Sequence, residues 1–142
     1  MTASSDQTLL ALDVGDKRIG VAIASLNSKL PKPLATLDDL ETSIDMIQRI
    51  VGQEHVKAIV IGLPRNLAGQ DTKQTKIVQD YGQKVSALGL PIFWQDEALT
   101  SQKAETELRD RGVSYNKGQV DALAATYLLD DFLSENRERQ LE

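Results

Sequence analysis

Three carboxylates in this chain occupy positions where a carboxylate is costly or conspicuous. Asp13 lies inside the apolar run 9–14, among Leu10, Ala11, Leu12 and Val14. Buried there alone it would cost on the order of several kcal/mol, so it should hold a partner or a metal. Glu97 follows the strand-like stretch 92–95, at the expected carboxyl end of a parallel strand. Ligands of open α/β sheets collect at that edge. Asp121 borders the apolar stripe of a C-terminal helix outlined by Val120, Leu123, Ala124, Tyr127 and Leu128. Carboxylates that converge repel one another unless cations sit between them. An all-oxygen donor set selects hard ions, Mg2+ or Mn2+, over Zn2+. Paired ions of this kind activate water and stabilise the leaving oxygen of a phosphodiester. Each acid also has a plainer reading: Asp13 in a strand-end turn, Glu97 and Asp121 as first-turn acids favoured by a helix dipole. All of them together favour a metal site.

The elements that must position these acids emerge from patterning. Apolar runs at 9–14 and 19–24 flank the turn Gly15-Asp16-Lys17-Arg18, the pattern of a β-hairpin. Gly15 lets the chain turn, and Gly20 keeps the second strand slim so that a ligand can approach. Pro31, Pro33, Lys29 and Lys32 mark a loop, with a short strand at 34–37. Asp38, Asp39 or Ser43 caps a helix through Ile44, Ile47, Ile50 and Val51, and Gly52 stops it. His55 falls in a linking turn without companion ligands and reads as a surface residue. The run 56–63 is a strand covered on both faces. Asp71 or Thr72 caps a helix over 73–88, and Phe93 and Trp94 are core and strand-edge aromatics. Thr100 or Ser101 caps another helix to Arg111, 112–118 is a connector, and the last helix covers 120–133. Ala122, Ala124 and Ala125 keep that helix thin, so that it lies close to the sheet and carries Asp121 toward Asp13. The order describes an α/β domain with a mixed central sheet and helices on its faces.

With 142 residues, 41% of them hydrophobic, the chain suits one domain, with 1–7 and 135–142 as loose tails. It has no cysteine, which excludes disulfides and thiolate metal sites. No apolar run approaches the ~18 residues of a membrane span, and no signal-like core opens the chain; the expectation is a soluble cytoplasmic protein. A net charge of -5 counts against broad, non-specific nucleic-acid binding. It leaves room for a nuclease, because metal-binding acids add charge that the ions neutralise.

Four segments, ALDVGDKRIGVA at 11–22, IGLPRNLAGQDTKQT at 61–75, DEALTS at 96–101 and KGQVDALAA at 117–125, resemble the YqgF (RuvX-like) family in order and spacing. The resemblance covers residues 9 to about 133. It implies an RNase H-like fold: a five-stranded mixed sheet, second strand antiparallel, flanked by helices. It also implies a metal-dependent nuclease whose acids correspond to Asp13, Glu97 and Asp121. The family's assigned roles are processing the 5′ end of precursor 16S rRNA and resolving Holliday junctions. Here Asp16 stands where Thr is usual, Ala98 where Arg is frequent and Ala122 where Ser is frequent. Loss of the arginine removes a phosphate contact.

A substrate-facing rim is expected from that fold. The loop within 62–75 offers backbone amides near a helix N-terminus, a good place for phosphate. Arg65, Asn66, Lys73 and Lys76 lie in or beside it, and Thr100 lies in the DEALTS segment. Lys17, Arg18 and Lys117 belong to the same rim, although a solvated-face reading serves each lysine equally well. The leading expectation is an Mg2+- or Mn2+-dependent nuclease acting on structured RNA, in ribosomal precursor particles, as monomer or homodimer. Alternatives are a dimeric resolvase of branched DNA and a non-catalytic RNase H-like binding module. The hairpin also resembles that of actin-like ATPases, but their second domain and second glycine-rich motif are missing from these 142 residues.

Overall fold

The computed structural model describes residues 7–64, 70–97, 106–112 and 117–136, with the backbone alone at positions 97, 117 and 118. β1 (Thr8–Val14) and β2 (Ile19–Ser25) form the expected hairpin, with Asp13 paired to Gly20. The Gly15 N–H donates to the Arg18 carbonyl at 2.8 Å and closes the turn. Gly15 serves here by giving room, since a Cβ would lie 3.1 Å from that carbonyl oxygen and its backbone is not left-handed.

β3 (Lys32–Leu37) pairs antiparallel with β2 and begins earlier than the expected strand at 34–37, taking in Lys32 and Pro33. An edge strand tolerates the proline, which cannot donate to a ladder. β4 (Val56–Pro64) and β5 (Ile92–Glu97) run parallel to β1. The sheet order is β3-β2-β1-β4-β5, and of these five strands β2 runs against the others. This is the mixed sheet of the RNase H-like fold.

α1 (Leu40–Gln53) is capped by Asp39, whose carboxylate accepts from the Glu41 N–H at 2.9 Å. Gly52 lies inside its last turn instead of stopping it; the exposed His55, at φ 55°, redirects the chain. α2 (Lys73–Ser86) is capped by Thr72 and ends before the expected Leu88, with Gly89 at φ 86° beyond it. α3 is described over 106–110, and its expected caps Thr100 and Ser101 lie outside the described residues. α4 (Lys117–Glu135) starts ahead of the expected Val120 and absorbs the end of the supposed connector. The expected loose tails are tied where described: Leu26 N–H donates to the Gln7 carbonyl at 2.9 Å, and Gln95 donates to the Glu135 carboxylate. No helix among the described residues is long and apolar enough to cross a membrane.

Strand alternation divides the core into two layers. Leu10, Leu12, Val14, Ile59 and Ile61 face α1 and α2 with Ile47, Val78 and Val85. Leu9, Ala11, Ala22, Ala24, Ala58 and Val60 face α4 with Ala125, Leu128, Leu129 and Phe132. The α4 side of the sheet is therefore lined mostly by small residues, and the other side by large ones. α4 does not bury one stripe as its periodicity suggests. Val120 and Ala124 pack with Leu108 of α3, whereas Ala125, Leu128, Leu129 and Phe132 meet the sheet.

The small residues let α4 touch the sheet with its backbone. A Cβ on Gly20 would lie 1.9 Å from the Asp121 carbonyl oxygen and 3.0 Å from the Ala122 nitrogen. The space beside Gly20, expected to admit a ligand, is filled by α4 itself.

Two outcomes test this packing. Gly20→Ala should destabilise by about 3 kcal/mol, because the methyl group meets helix backbone that cannot rotate aside. Gly52→Ala, with nothing within 4 Å of the added carbon, should stabilise by roughly 0.5–1 kcal/mol in the same denaturant titration. A third outcome concerns the α1–α2 joint, where the buried Tyr81 and Ser43 hydroxyls are 2.6 Å apart. Burial pushes the Tyr81 phenol up to about 12, with the Ser43 bond offsetting a little of the rise. An unfolded tyrosine ionises near pH ~10, so Tyr81's contribution is complete below that and drains away as pH rises toward 12. Tyr81→Phe should flatten this alkaline loss in stability measured against pH.

Candidate metal and nucleic-acid site

Asp13 continues the row of Leu9 and Ala11, so it belongs to the α4 side of the sheet. On β5 the same side carries Phe93, whose ring centroid is 5.5 Å from that of Phe132, and Gln95, which bonds Glu135. The two-residue period carries that row on to position 97. Between β1 and β5 runs β4, where Gly62, opposite Gln95, continues the row of Ala58 and Val60 on the α4 side. Asp121 reaches the same region from α4, its backbone resting on the Gly20 that pairs with Asp13. The positions of Asp13 and Glu97 thus lie on one face, both near the carboxyl ends of parallel strands, with Asp121 arriving over that face. Among the described residues no three His, Cys, Asp or Glu side chains are grouped to hold a metal. The Glu97 side chain lies outside that set.

Asp121 is already paired. Arg18 Nε donates to its Oδ2 at 2.6 Å, across a separation of 103 residues in sequence. The two side chains are 33% and 23% exposed, so solvent screens the pair and its worth is about 1 kcal/mol. Sequence reasoning places Arg18 on the rim for phosphate and leaves Asp121 to a metal. The structure instead sets a guanidinium against the carboxylate. The carboxylate offers oxygen donors, the kind that hard divalent ions take. Asp13 is half-buried and has an interaction partner of its own. A cleft of about 360 Å³ opens beside the pair, lined by Gly15, Asp16, Lys17, Arg18 and Asp121. Asp16 and Lys17 both stand exposed at its edge as the turn leaves the sheet.

α2 is fastened to the same end of the sheet. Gln74 donates its amide to the Val14 carbonyl at 3.0 Å, next to Asp13. The buried Thr75 hydroxyl donates to the Pro64 carbonyl at the end of β4. Thr72 and Thr75 also cap each other: Thr72 N–H donates to Thr75 Oγ1 at 2.8 Å, and Thr75 N–H to Thr72 Oγ1 at 3.4 Å. A helix N-terminal amide expected to face phosphate is therefore occupied by the chain's own threonine. Sequence reasoning named Thr72 as a candidate cap but missed the tethers, and it missed Thr75, whose hydroxyl three residues on completes the capping box.

Of the other expected rim residues, Lys73 is exposed, and Lys76 pairs loosely with Asp80 at 3.7 Å. Arg65, Asn66, Thr100 and Ala98 lie outside the described residues, and Lys117 opens α4 without a described side chain.

A family model described as RuvX, Holliday junction resolvase, matches residues 7–135. A Chloroflexus aurantiacus protein named "Putative pre-16S rRNA nuclease" is 39% identical over 138 residues, covering 94% of this chain and 90% of that one. A Crocosphaera subtropica protein of the same name is 40% identical over 133 residues, covering 90% and 93%. Among solved structures, T. thermophilus RuvC in complex with a Holliday junction substrate superposes with a TM-score of 0.62. That match covers 94% of this chain and 97% of RuvC at 11% identity, a likeness of fold. From the family match across nearly its whole length and the RNase H-like sheet beneath it, this chain belongs to the RuvX (YqgF) family of nucleases.

Proposed function

We propose that this chain is an Mg2+- or Mn2+-dependent nuclease that cuts structured RNA, processing the 5′ end of precursor 16S rRNA, with Asp13, Glu97 and Asp121 as the metal-holding acids. The observation that carries the reading is the convergence of those positions on the α4 face at the carboxyl edge of the sheet. When bound, such ions activate water and stabilise the leaving oxygen of a phosphodiester. The chain's own part is positioning. Asp13 is fixed by a ladder that pairs it to Gly20, and Asp121 is fixed by α4's seat on that same glycine. Gln74 and Thr75 hold α2 against the strand ends from the other face of the sheet. Lys17 and Arg18 supply positive charge at the turn.

RNA as substrate, and ribosomal precursor particles as its setting, are supported by the name of the relatives. With a net charge of -5 the protein relies on few phosphate contacts, so salt should weaken binding only gently. A second reading, resolution of branched DNA, draws on the description of the matching family.

A cleavage assay separates them. In Mg2+, the protein should cut a structured RNA with the 5′ precursor extension faster than a matched branched DNA. Asp13→Asn should lower that rate by ~10²-fold or more, the scale of losing transition-state charge stabilisation. Faster cutting of the DNA would favour the resolvase, and no cutting of either would favour a binding module. Mn2+ binding should also stabilise the fold, by roughly 2.7 kcal/mol at a hundred times the Kd. The thermal midpoint should rise with Mn2+ in the native protein and stay put in Asp13→Asn.

A further inference from the structure

We infer that Arg18 is a displaceable counter-ion, holding Asp121 while the carboxylates are free of metal and turning to a nucleic-acid phosphate once they are engaged. The inference rests on the metal-site reading above and adds a role for a residue of the turn. Arg18 cannot shed its charge, so while it sits on Asp121 Oδ2 it repels a divalent cation from that carboxylate and competes with it for the same negative charge. The pair is weak enough to exchange, being partly solvent-exposed on both sides.

The exchange alters the charge balance of the cleft. Among the described residues its charged lining is Asp16, Lys17, Arg18 and Asp121, two of each sign. With Asp121 neutralised from the metal side, the remaining described lining of Asp16, Lys17 and Arg18 is net positive. A planar guanidinium released into a 360 Å³ space beside a lysine is suited to a phosphodiester oxygen pair. An acidic protein thereby gains a local phosphate site only when its metal is loaded. By linkage the effect is reciprocal: phosphate that captures Arg18 strengthens cation binding by the same factor.

The test measures binding, without turnover. Mn2+ is titrated calorimetrically into the native protein, Arg18→Gln, Arg18→Lys and Asp13→Asn, all checked for equal far-UV circular dichroism. An RNA hairpin is then titrated in Ca2+ and in EDTA. Arg18→Gln should bind Mn2+ on the order of tenfold tighter, having lost its competitor. It should also lose the gain in RNA affinity that Ca2+ confers on the native protein, while Arg18→Lys recovers part of both behaviours. Mn2+ binding that depends on Asp13 yet is unchanged or weaker in Arg18→Gln would overturn the exchange and leave the metal site standing. Mn2+ binding by the native protein that is indifferent to Asp13→Asn would overturn the metal reading itself.

Discussion

The backbone of α4 lies against Gly20 with no side chain between them, and the geometry of the candidate site descends from that contact. Layers of secondary structure usually stand about 10 Å apart because side chains interleave. Here alanines and a glycine on β1, β2 and α4 remove the spacer. The carboxylate of an α4 residue can then reach a strand residue without a long arm. Shape complementarity among small residues does what longer acids would otherwise have to do, and does it with fewer rotamers to freeze.

Such closeness also brings an α4 carboxylate within reach of the turn, which answers its charge. Gly15 and Arg18 close the hairpin through the backbone, and the Arg18 side chain then reaches across to α4. One four-residue turn therefore fixes the strand that carries Asp13 and neutralises the acid opposite. The other layer of the sheet has no such duty. Its large aliphatic residues and the Ser43–Tyr81 bond form an ordinary core that backs the strands from behind.

Much of this is legible in the residues. The misplaced Asp13, the hairpin and the unbroken run of β4 all carry local signals that the fold obeys. The role of Gly20 is half legible: its smallness marks a close approach, but one sequence cannot say whether a ligand or a helix fills the gap. The periodicity of α4 reads as one stripe because two adjacent apolar faces, one for the sheet and one for α3, overlap in a 3.6-residue period. The Arg18–Asp121 pair is not legible, since the partners are 103 residues apart and each has a plausible solitary role. Pro33 misleads in the ordinary way, as a residue barred from central strands yet accommodated at an edge.

That long separation has a consequence for the order in which the molecule is made. The strand carrying Asp13 is synthesised well before the helix that must rest on its hairpin. Until α4 docks, the small-residue face of the hairpin is bare and Arg18 has no Asp121 to pair with. Long-range closure of this kind comes late in folding, because its loop entropy must be met before its contacts form. A nascent chain, or one clipped ahead of α4, thus lacks the helix seat on Gly20 and the Arg18–Asp121 pair by construction, and both appear only when that helix has been made and has docked.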